Sequence, residues 1–130
     1  MSEFAKSLAI SSSGLAAQAT RLRHVSENIS NADTPGYRRK SVSFESVRDV
    51  TGTVEQVSVG RVQLDRSDLT KIYDPSHPLA DETGNYEGSN VNLMIEIADA
   101  REAQRSYEAN LKMFDQARKM SSALMDLLRK

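Results

Sequence analysis

The chain lacks cysteine and tryptophan and has little proline, glycine or aromatic residue. Its 130 residues include 3 prolines and 6 glycines, and aromatic residues make up 5%. The lack of cysteine excludes a disulfide framework, a thiolate nucleophile and a cysteine-based zinc site, and it is compatible with either redox compartment. No run of consecutive apolar residues exceeds three, which excludes a transmembrane helix and the apolar region of a secretory signal peptide. We therefore expect a chain that is either cytoplasmic or exported by a route without a cleaved signal.

Large apolar residues are also scarce. Leu, Ile, Val and Phe together number 28 of 130, and 13 alanines supply much of the remaining apolar surface. This share lies just above the ~20% below which highly charged chains tend to stay disordered. The length fits one domain of roughly 100–200 residues. We expect one unit with a thin core, and a freely stable monomer is not expected.

The charges balance almost completely over the chain. The net charge is −1, which removes the electrostatic argument for nucleic-acid binding. Residues 1–40 carry a net +3, residues 41–90 a net −5 and residues 91–130 a net +1. The middle of the chain is therefore acidic, and both ends are mildly basic.

The first segment, about Glu3 to Asn31, predicts a helix with an apolar stripe. It contains no proline and one glycine, and it carries Phe4 and Val25 at a second heptad position that Ser11 and Gln18 share. Such a stripe requires a partner helix. The residues that recur at intervals of seven are the candidate assembly residues Leu8, Leu15, Leu22 and Ile29.

A sharp turn is predicted directly after this helix. Asn31 is expected to take the left-handed conformation after the last turn, and Pro35-Gly36 suits the central positions of a type II turn. The candidate turn residues are Asn31, Thr34, Pro35, Gly36 and Tyr37.

The period changes over residues 38–72, where valines alternate with polar residues. Val57, Val59 and Val62 stand near the breaks at Gly52 and Gly60, a pattern typical of short strands in a small antiparallel sheet. The segments 74–78 and 81–88 are rich in proline, glycine and acidic residues and predict a polar loop.

The last segment predicts the strongest helix. Ser89 and Asn90 are its N-cap candidates, and residues 91–130 contain neither glycine nor proline. Apolar and small residues recur about every 3.5 residues, which favours a left-handed coiled-coil seam. The candidate assembly residues on this helix are Ile97, Tyr107, Leu111, Phe114 and Leu124.

The length of this helix decides the architecture. About 38 residues span ~57 Å, whereas a compact globule of this size has a diameter of roughly 36 Å. The sequence therefore predicts a mainly α fold with a small β region, in which long terminal helices pack as an antiparallel coiled coil. The expected division is a core segment 1–37, a central β-rich domain 38–90 and a second core segment 91–130. Other helices must cover the rest of the seam.

Few residues suggest catalysis or ligand binding. Asp74 and His77 can form a local acid/base pair, but no third ligand for a metal lies nearby, and a role in the turn is the simpler reading. Arg38-Arg39-Lys40 can contact phosphates or begin a solvated strand. We predict no catalytic residue, no metal and no cofactor. A small Asp/His hydrolase and a DNA-binding adaptor stay open as alternatives.

Four sequence segments carry a resemblance to a known family. The segment Asn28–Tyr37, read as NISNADTPGY, closely resembles the signature of the axial proteins of the bacterial flagellum. The segments 73–78 (YDPSHP), 90–92 (NVN) and 106–110 (SYEAN) are similar to those of a proximal rod protein. Another protein of the proximal rod, the alternative within this family, would share only the first motif.

The resemblance implies a structural role without enzymatic activity. It implies export in an unfolded state by the flagellar type III apparatus and polymerisation in the periplasmic span of the basal body, where the terminal helices pack into the rod wall. The implied partners are copies of the chain, neighbouring rod proteins, and the export apparatus or the MS-ring adaptor. Neither nucleic acid nor direct membrane insertion is implied.

Overall fold

Two long helices flank a region of short strands along the chain. The computed structural model describes residues 3–129, so Met1, Ser2 and Lys130 of the predicted terminal segments lie outside the described residues. In chain order the elements are α1 (Glu3–Ser30), β1 (Lys40–Ser41), β2 (Phe44–Arg48), β3 (Glu55–Val59), β4 (Gln63–Leu64), β5 (Lys71–Tyr73), β6 (Asn85–Glu87) and α2 (Leu93–Leu128). The predicted mainly α class with a small central β region is confirmed.

The two helices run antiparallel along each other. The end of α1 meets the start of α2, where the Asn28 amide donates to Glu96 Oε2 over 3.2 Å. Towards the other end, Arg21 approaches Glu102 at 3.5 Å, and Gly14 lies against Asn110. The interface buries mostly small side chains, which let two helix backbones approach closely: Ser11, Gly14 and Ala17 on α1, and Ala103 and Ala117 on α2.

The start of α2 differs from the prediction. Asn92 is the N-cap, and its side chain accepts from the backbone N–H groups of Met94 and Ile95. Ser89 and Asn90 are not available for this role because their side chains bond elsewhere, Ser89 to the carbonyl of Ala32 and Asn90 to the carbonyl of Asp65 at 2.9 Å. With 36 residues, α2 spans about 54 Å.

The strands form three separate two-stranded antiparallel ladders rather than one small sheet. The pairs are β1 with β4, β2 with β3, and β5 with β6. β6 lies within the segment 81–88 that was predicted to be loop, because Tyr86 pairs with Ile72 across the β5–β6 ladder. β3 is held against α1, since its Val57 N–H donates to Ser13 Oγ over 3.0 Å.

The core is thin, as the composition predicted. Among the described residues, the buried apolar side chains are Ala17, Val25, Val54, Ala103 and Ala117. The chain exposes 9200 Å², whereas a compact monomer of its mass of 14.4 kDa exposes about 6,800 Å². The fold is therefore extended, and much of its apolar surface faces outward. No helix in residues 3–129 is both long and apolar enough to cross a membrane.

Candidate functional site

The Asp74–His77 pair forms part of a turn. The carboxylate of Asp74 accepts from the backbone N–H and the hydroxyl of Ser76, and His77 Nδ1 accepts from the Leu79 N–H over 3.1 Å. The imidazole stacks on Tyr86 with ring centroids 3.8 Å apart. In residues 3–129 no cluster of three or more ligating side chains can hold a metal ion. The turn-stabilising reading of these two residues is confirmed.

The turn after α1 has the predicted shape at Gly36. The Tyr37 N–H donates to the Thr34 carbonyl over 3.2 Å, and Gly36 has φ 76°, as the third residue of a type II turn requires. Asn31 does not take the predicted left-handed conformation, because no described residue other than glycine has a positive φ. Instead its side chain bonds to the Glu27 carbonyl at 2.9 Å and accepts from the Thr34 hydroxyl at 3.0 Å.

A buried polar cluster joins this turn to both helices. Asn28 and Glu96 have no exposed surface, and Arg39 reaches the Glu96 carboxylate through Nε. The Asn28 side chain is fully bonded: its Nδ2 donates to Glu96 and to the Lys40 carbonyl, and its Oδ1 accepts from the Tyr37 hydroxyl and the Lys40 N–H. We call Asn28, Tyr37, Arg39 and Glu96 the junction cluster.

Asp99 extends the junction cluster along α2. Its carboxylate lies 2.8 Å from Arg39 and 3.6 Å from Arg21. Glu96 and Asp99 lie on successive turns of α2. Together they bind Arg39, which precedes β1, and Asp99 also binds Arg21 of α1. The cluster fixes the angle at which the strand region leaves the helix pair.

The surroundings shift the pKa of Arg39 and Tyr37 in the junction cluster and of the neighbouring Lys40–Glu27 pair. Burial works against the charged form of Arg39, but the hydrogen bond to Glu96 and the charges of Glu96 and Asp99 outweigh it and raise the pKa of Arg39. Burial raises the pKa of the Tyr37 hydroxyl, which stays protonated and can donate to Asn28. The hydrogen bond between Lys40 and Glu27 lowers the pKa of Glu27 and raises that of Lys40.

The basic segment 38–40 is half-buried, and its side chains are bonded within the chain. Arg38 donates to the carbonyls of Asp65 and Ser67, and Lys40 pairs with Glu27 at 2.7 Å. The predicted strand start is confirmed, since β1 begins at Lys40, but the three half-buried cations are paired with acceptors of the chain. Nothing in the sequence pattern indicated that Arg39 would meet a carboxylate 57 residues further along the chain.

The predicted assembly residues lie around the helix interface rather than at its centre. Leu8, Leu15, Leu22, Tyr107 and Phe114 are half-buried. The remaining four are exposed in the single chain: Ile29 by 38%, Ile97 by 47%, Leu111 by 47% and Leu124 by 45%. α2 also exposes Met94, Met113, Met120, Leu127 and Leu128. The α1–α2 contact thus uses small side chains and leaves the large apolar ones on the outside.

Family models match both ends of the chain. A model described as flagella basal body rod protein matches residues 8–38, which include most of α1 and the Gly36 turn. A second, described as the C-terminal part of flagellar basal body rod FlgEFG proteins, matches residues 82–127, which include α2. Both matches are to models of flagellar basal-body rod proteins and indicate this class of protein.

Relatives that match most of the chain identify the family within the rod proteins. The chain is 50% identical over 127 residues to the flagellar basal-body rod protein FlgC of Agrobacterium fabrum, with 92% of this chain and 91% of that protein covered. It is 33% identical to FlgC of Bacillus subtilis, which covers 81% of this chain and 85% of that protein. FlgC of Salmonella typhimurium is also 33% identical, with 85% and 87% covered. The chain belongs to the FlgC family of rod proteins.

Membership of this family decides between the functions left open by the sequence. The protein is a structural subunit of the flagellar basal-body rod and not an enzyme, it resides in the basal body, and it assembles with other rod components. The hydrolase alternative fails because Asp74 and His77 serve a turn, and the DNA-binding alternative fails because residues 38–40 are already paired.

Proposed function

We propose that the protein polymerises through its terminal helices, with copies of itself and with neighbouring rod proteins, into the periplasmic drive shaft of the flagellum. In this proposal, segments 1–37 and 91–130 form the rod core by coiled-coil packing, and 38–90 forms the outer domain. Export by the flagellar type III system, with contacts to the export apparatus or the MS-ring adaptor, precedes assembly. The chain reaches the periplasm unfolded, because the rod is built beyond the inner membrane.

One observation carries this proposal: the helix pair leaves its large apolar residues outside. Ile97, Leu111 and Leu124 are each more than two-fifths exposed in the single chain. Ile97 and Leu111 lie 14 residues apart on α2, close to four helical turns, so they share one side of the helix, whereas Leu124 lies about 140° round from Leu111. Apolar exposure over this length is costly in water and is typical of a protein–protein contact. Neighbouring subunits would cover it.

Leu111 provides the test of the proposal. Leu111→Asp should abolish rod assembly and leave secretion intact, because packing at this residue matters only after folding. Loss of a buried Leu costs ~2–5 kcal/mol, and burial of an unpaired carboxylate costs several more. The measurement compares secreted protein with assembled rods in a strain that lacks its own copy.

Ala109→Asp is the matched control, since it introduces the same carboxylate at an exposed position of the same helix, about 200° round from Leu111. It should form rods at the wild-type level. Normal rods with Leu111→Asp would mean that Leu111 faces solvent in the assembly. A loss of secretion instead would place Leu111 in a surface read during export and would contradict its role in packing.

A further inference from the structure

Residues 74–87, which we call the acidic loop, carry charge of one sign only. Asp74, Asp81, Glu82 and Glu87 give this segment a charge of −4 without any Lys or Arg. The tip between them is apolar and open to solvent: Leu79 is 63% exposed, and Pro75 and Pro78 are exposed beside it. The segment therefore presents an apolar tip with an acidic rim.

The acidic loop is ordered by its own contacts before any partner is present. Asp81 Oδ1 accepts from Thr83 and from the Asn85 N–H, and the His77 ring stacks on Tyr86. Gly84, with φ 82°, lies so close that an added Cβ would stand 2.8 Å from Tyr73. A loop held in this way loses little conformational entropy when it binds.

The second half of α2 offers a surface of the opposite kind. Leu111, Lys112, Phe114, Asp115 and Arg118 line a shallow groove, which we call the basic groove. Two cations, Lys112 and Arg118, and one anion, Asp115, line it, a net +1, and Asp115 bridges Arg118 at 3.1 Å. The floor is apolar, since Leu111 is 47% exposed and Phe114 half-buried. Shape and charge both complement the acidic loop.

The two surfaces lie at different places along the helix pair. The acidic loop is anchored at the Gly36 turn, where the Gly36 N–H donates to the Glu87 carbonyl, whereas the basic groove begins 18 residues, about 27 Å, inside α2. The ion pairs of the groove in residues 3–129 stay within α2. A contact between the acidic loop and the basic groove is therefore assigned to two molecules displaced along the helix axis.

We propose that the acidic loop of one copy docks into the basic groove of a second copy, with Leu79 against Leu111 and Phe114. The rim carboxylates of Glu82 and Glu87 then face Lys112 and Arg118. The contact is heterologous, because each copy retains one free loop and one free groove, and such contacts propagate a helical assembly instead of closing a dimer. The inference deepens the proposed self-association and rests on it.

The absence of native cysteine makes a disulfide test direct. Leu79→Cys and Leu111→Cys variants of the full chain are co-expressed in flagellated cells that lack their own copy, and basal bodies are isolated under mild oxidation. A disulfide forms only where the two Cα atoms approach to roughly 4.4–6.8 Å. We expect a dimer of the chain in the mixture and none when either variant is expressed alone.

Ile97→Cys is the matched control for Leu111→Cys, because it has the same 47% exposure on the same helix. Paired with Leu79→Cys it should give no dimer. An equal yield with Ile97→Cys, no dimer in basal bodies that contain the chain, or a photocrosslink from position 79 to a different rod protein would overturn the proposed contact. Basal bodies that lack the wild-type chain altogether would instead contradict the proposed function.

A charge exchange tests the rim. Glu82→Lys or Lys112→Glu, each on the cysteine background, should lower the disulfide yield by up to about fivefold at low salt. Glu82→Lys on the loop-bearing copy together with Lys112→Glu on the groove-bearing copy should restore it. If neither single charge change alters the disulfide yield, electrostatic attraction does not contribute to the contact. The basic groove would then not be the binding site of the acidic loop.

Discussion

At the scale of single residues, Gly36 determines the shape of the turn after α1. Its φ of 76° lies in the left-handed region, and its N–H donates to the carbonyls of Glu87 and Gly88 at the end of β6. An added Cβ at this position would meet no atom within 4 Å. The requirement for glycine is therefore conformational and not steric.

Gly36→Val should accordingly destabilise the fold by ~1–2 kcal/mol, because a β-branched residue occupies this region only at a cost. Urea unfolding followed by circular dichroism measures the loss, and swimming motility should fall with it. Gly36→Asn is the control, since Asn tolerates the left-handed region better and should retain most of the stability. Equal stability of the Val and Asn variants would argue against a conformational role.

Glu96 has an equally specific role in the junction cluster. Glu96→Ala leaves Arg39 with only Asp99 and removes an acceptor of Asn28, so we expect a loss near the lower end of the ~3–5 kcal/mol known for broken buried ion pairs. The control is Glu102→Ala on the same helix, whose carboxylate side chain is 69% exposed and 3.5 Å from Arg21. It should cost ~0–1 kcal/mol.

The double variant Glu96→Leu/Arg39→Leu separates the ion pair from the packing. Replacing both partners by apolar residues is often neutral for a buried pair, so this variant should be more stable than Glu96→Ala in the same urea titration. If Glu96→Ala and Glu102→Ala lose equal stability, the junction cluster does not hold the helices together.

At the scale of elements, the sequence predicted what depends on neighbouring residues. The bounds of α1, the reversal at Pro35-Gly36 and the length of α2 followed from local periodicity and turn chemistry. β6 escaped prediction because the polar segment Asn85–Glu87 becomes a strand only by pairing with β5. The N-cap was misplaced because three suitable residues, Ser89, Asn90 and Asn92, stand close together, and tertiary bonds occupy the first two.

The sequence predicted the apolar assembly residues of the two helices, but it did not predict the polar junction cluster. A heptad pattern reveals which residues are apolar, but it does not distinguish a contact within the chain from one between chains. Glu96 and Asn28 escaped attention because carboxylates and amides are rarely fully buried. Their burial depends on Arg39 and Lys40, which approach them only in the folded chain.

The helix interface itself can be tested at Gly14. An added Cβ would lie 2.9 Å from the side chain of Asn110, so Gly14→Leu should force the helices apart and cost ~1–3 kcal/mol by overpacking. Thermal unfolding measures the change. Ser12→Leu is the control, because Ser12 is exposed on the same helix. Asn110→Ala should relieve part of the loss in Gly14→Leu, and full additivity of the two changes would contradict direct contact.

At the scale of the whole molecule, stability is concentrated at one end. The junction cluster and the Gly36 turn lie where α1 ends and α2 begins, and β3 contacts α1 near its middle, at Ser13. Beyond Asn110 the helix pair retains only Ala117 as a buried apolar residue on α2. From Leu124 onward, every described residue of α2 is exposed. Packing therefore weakens along the helix pair with distance from the junction.

This gradient predicts how the protein behaves before assembly. In a dilute, demonstrably monomeric sample, amides of α2 near Glu96 should exchange slowly and those beyond Phe114 rapidly, because a helix without a packed face is marginal in water. Hydrogen exchange followed by mass spectrometry resolves the two halves. Assembled rods should protect both halves, since neighbouring subunits then cover Leu111 and Leu124. Uniform protection from residue 95 to 125 in the monomer would mean that the thin core alone stabilises the whole of α2. The exposed apolar residues would then not be needed to stabilise this helix in the assembly.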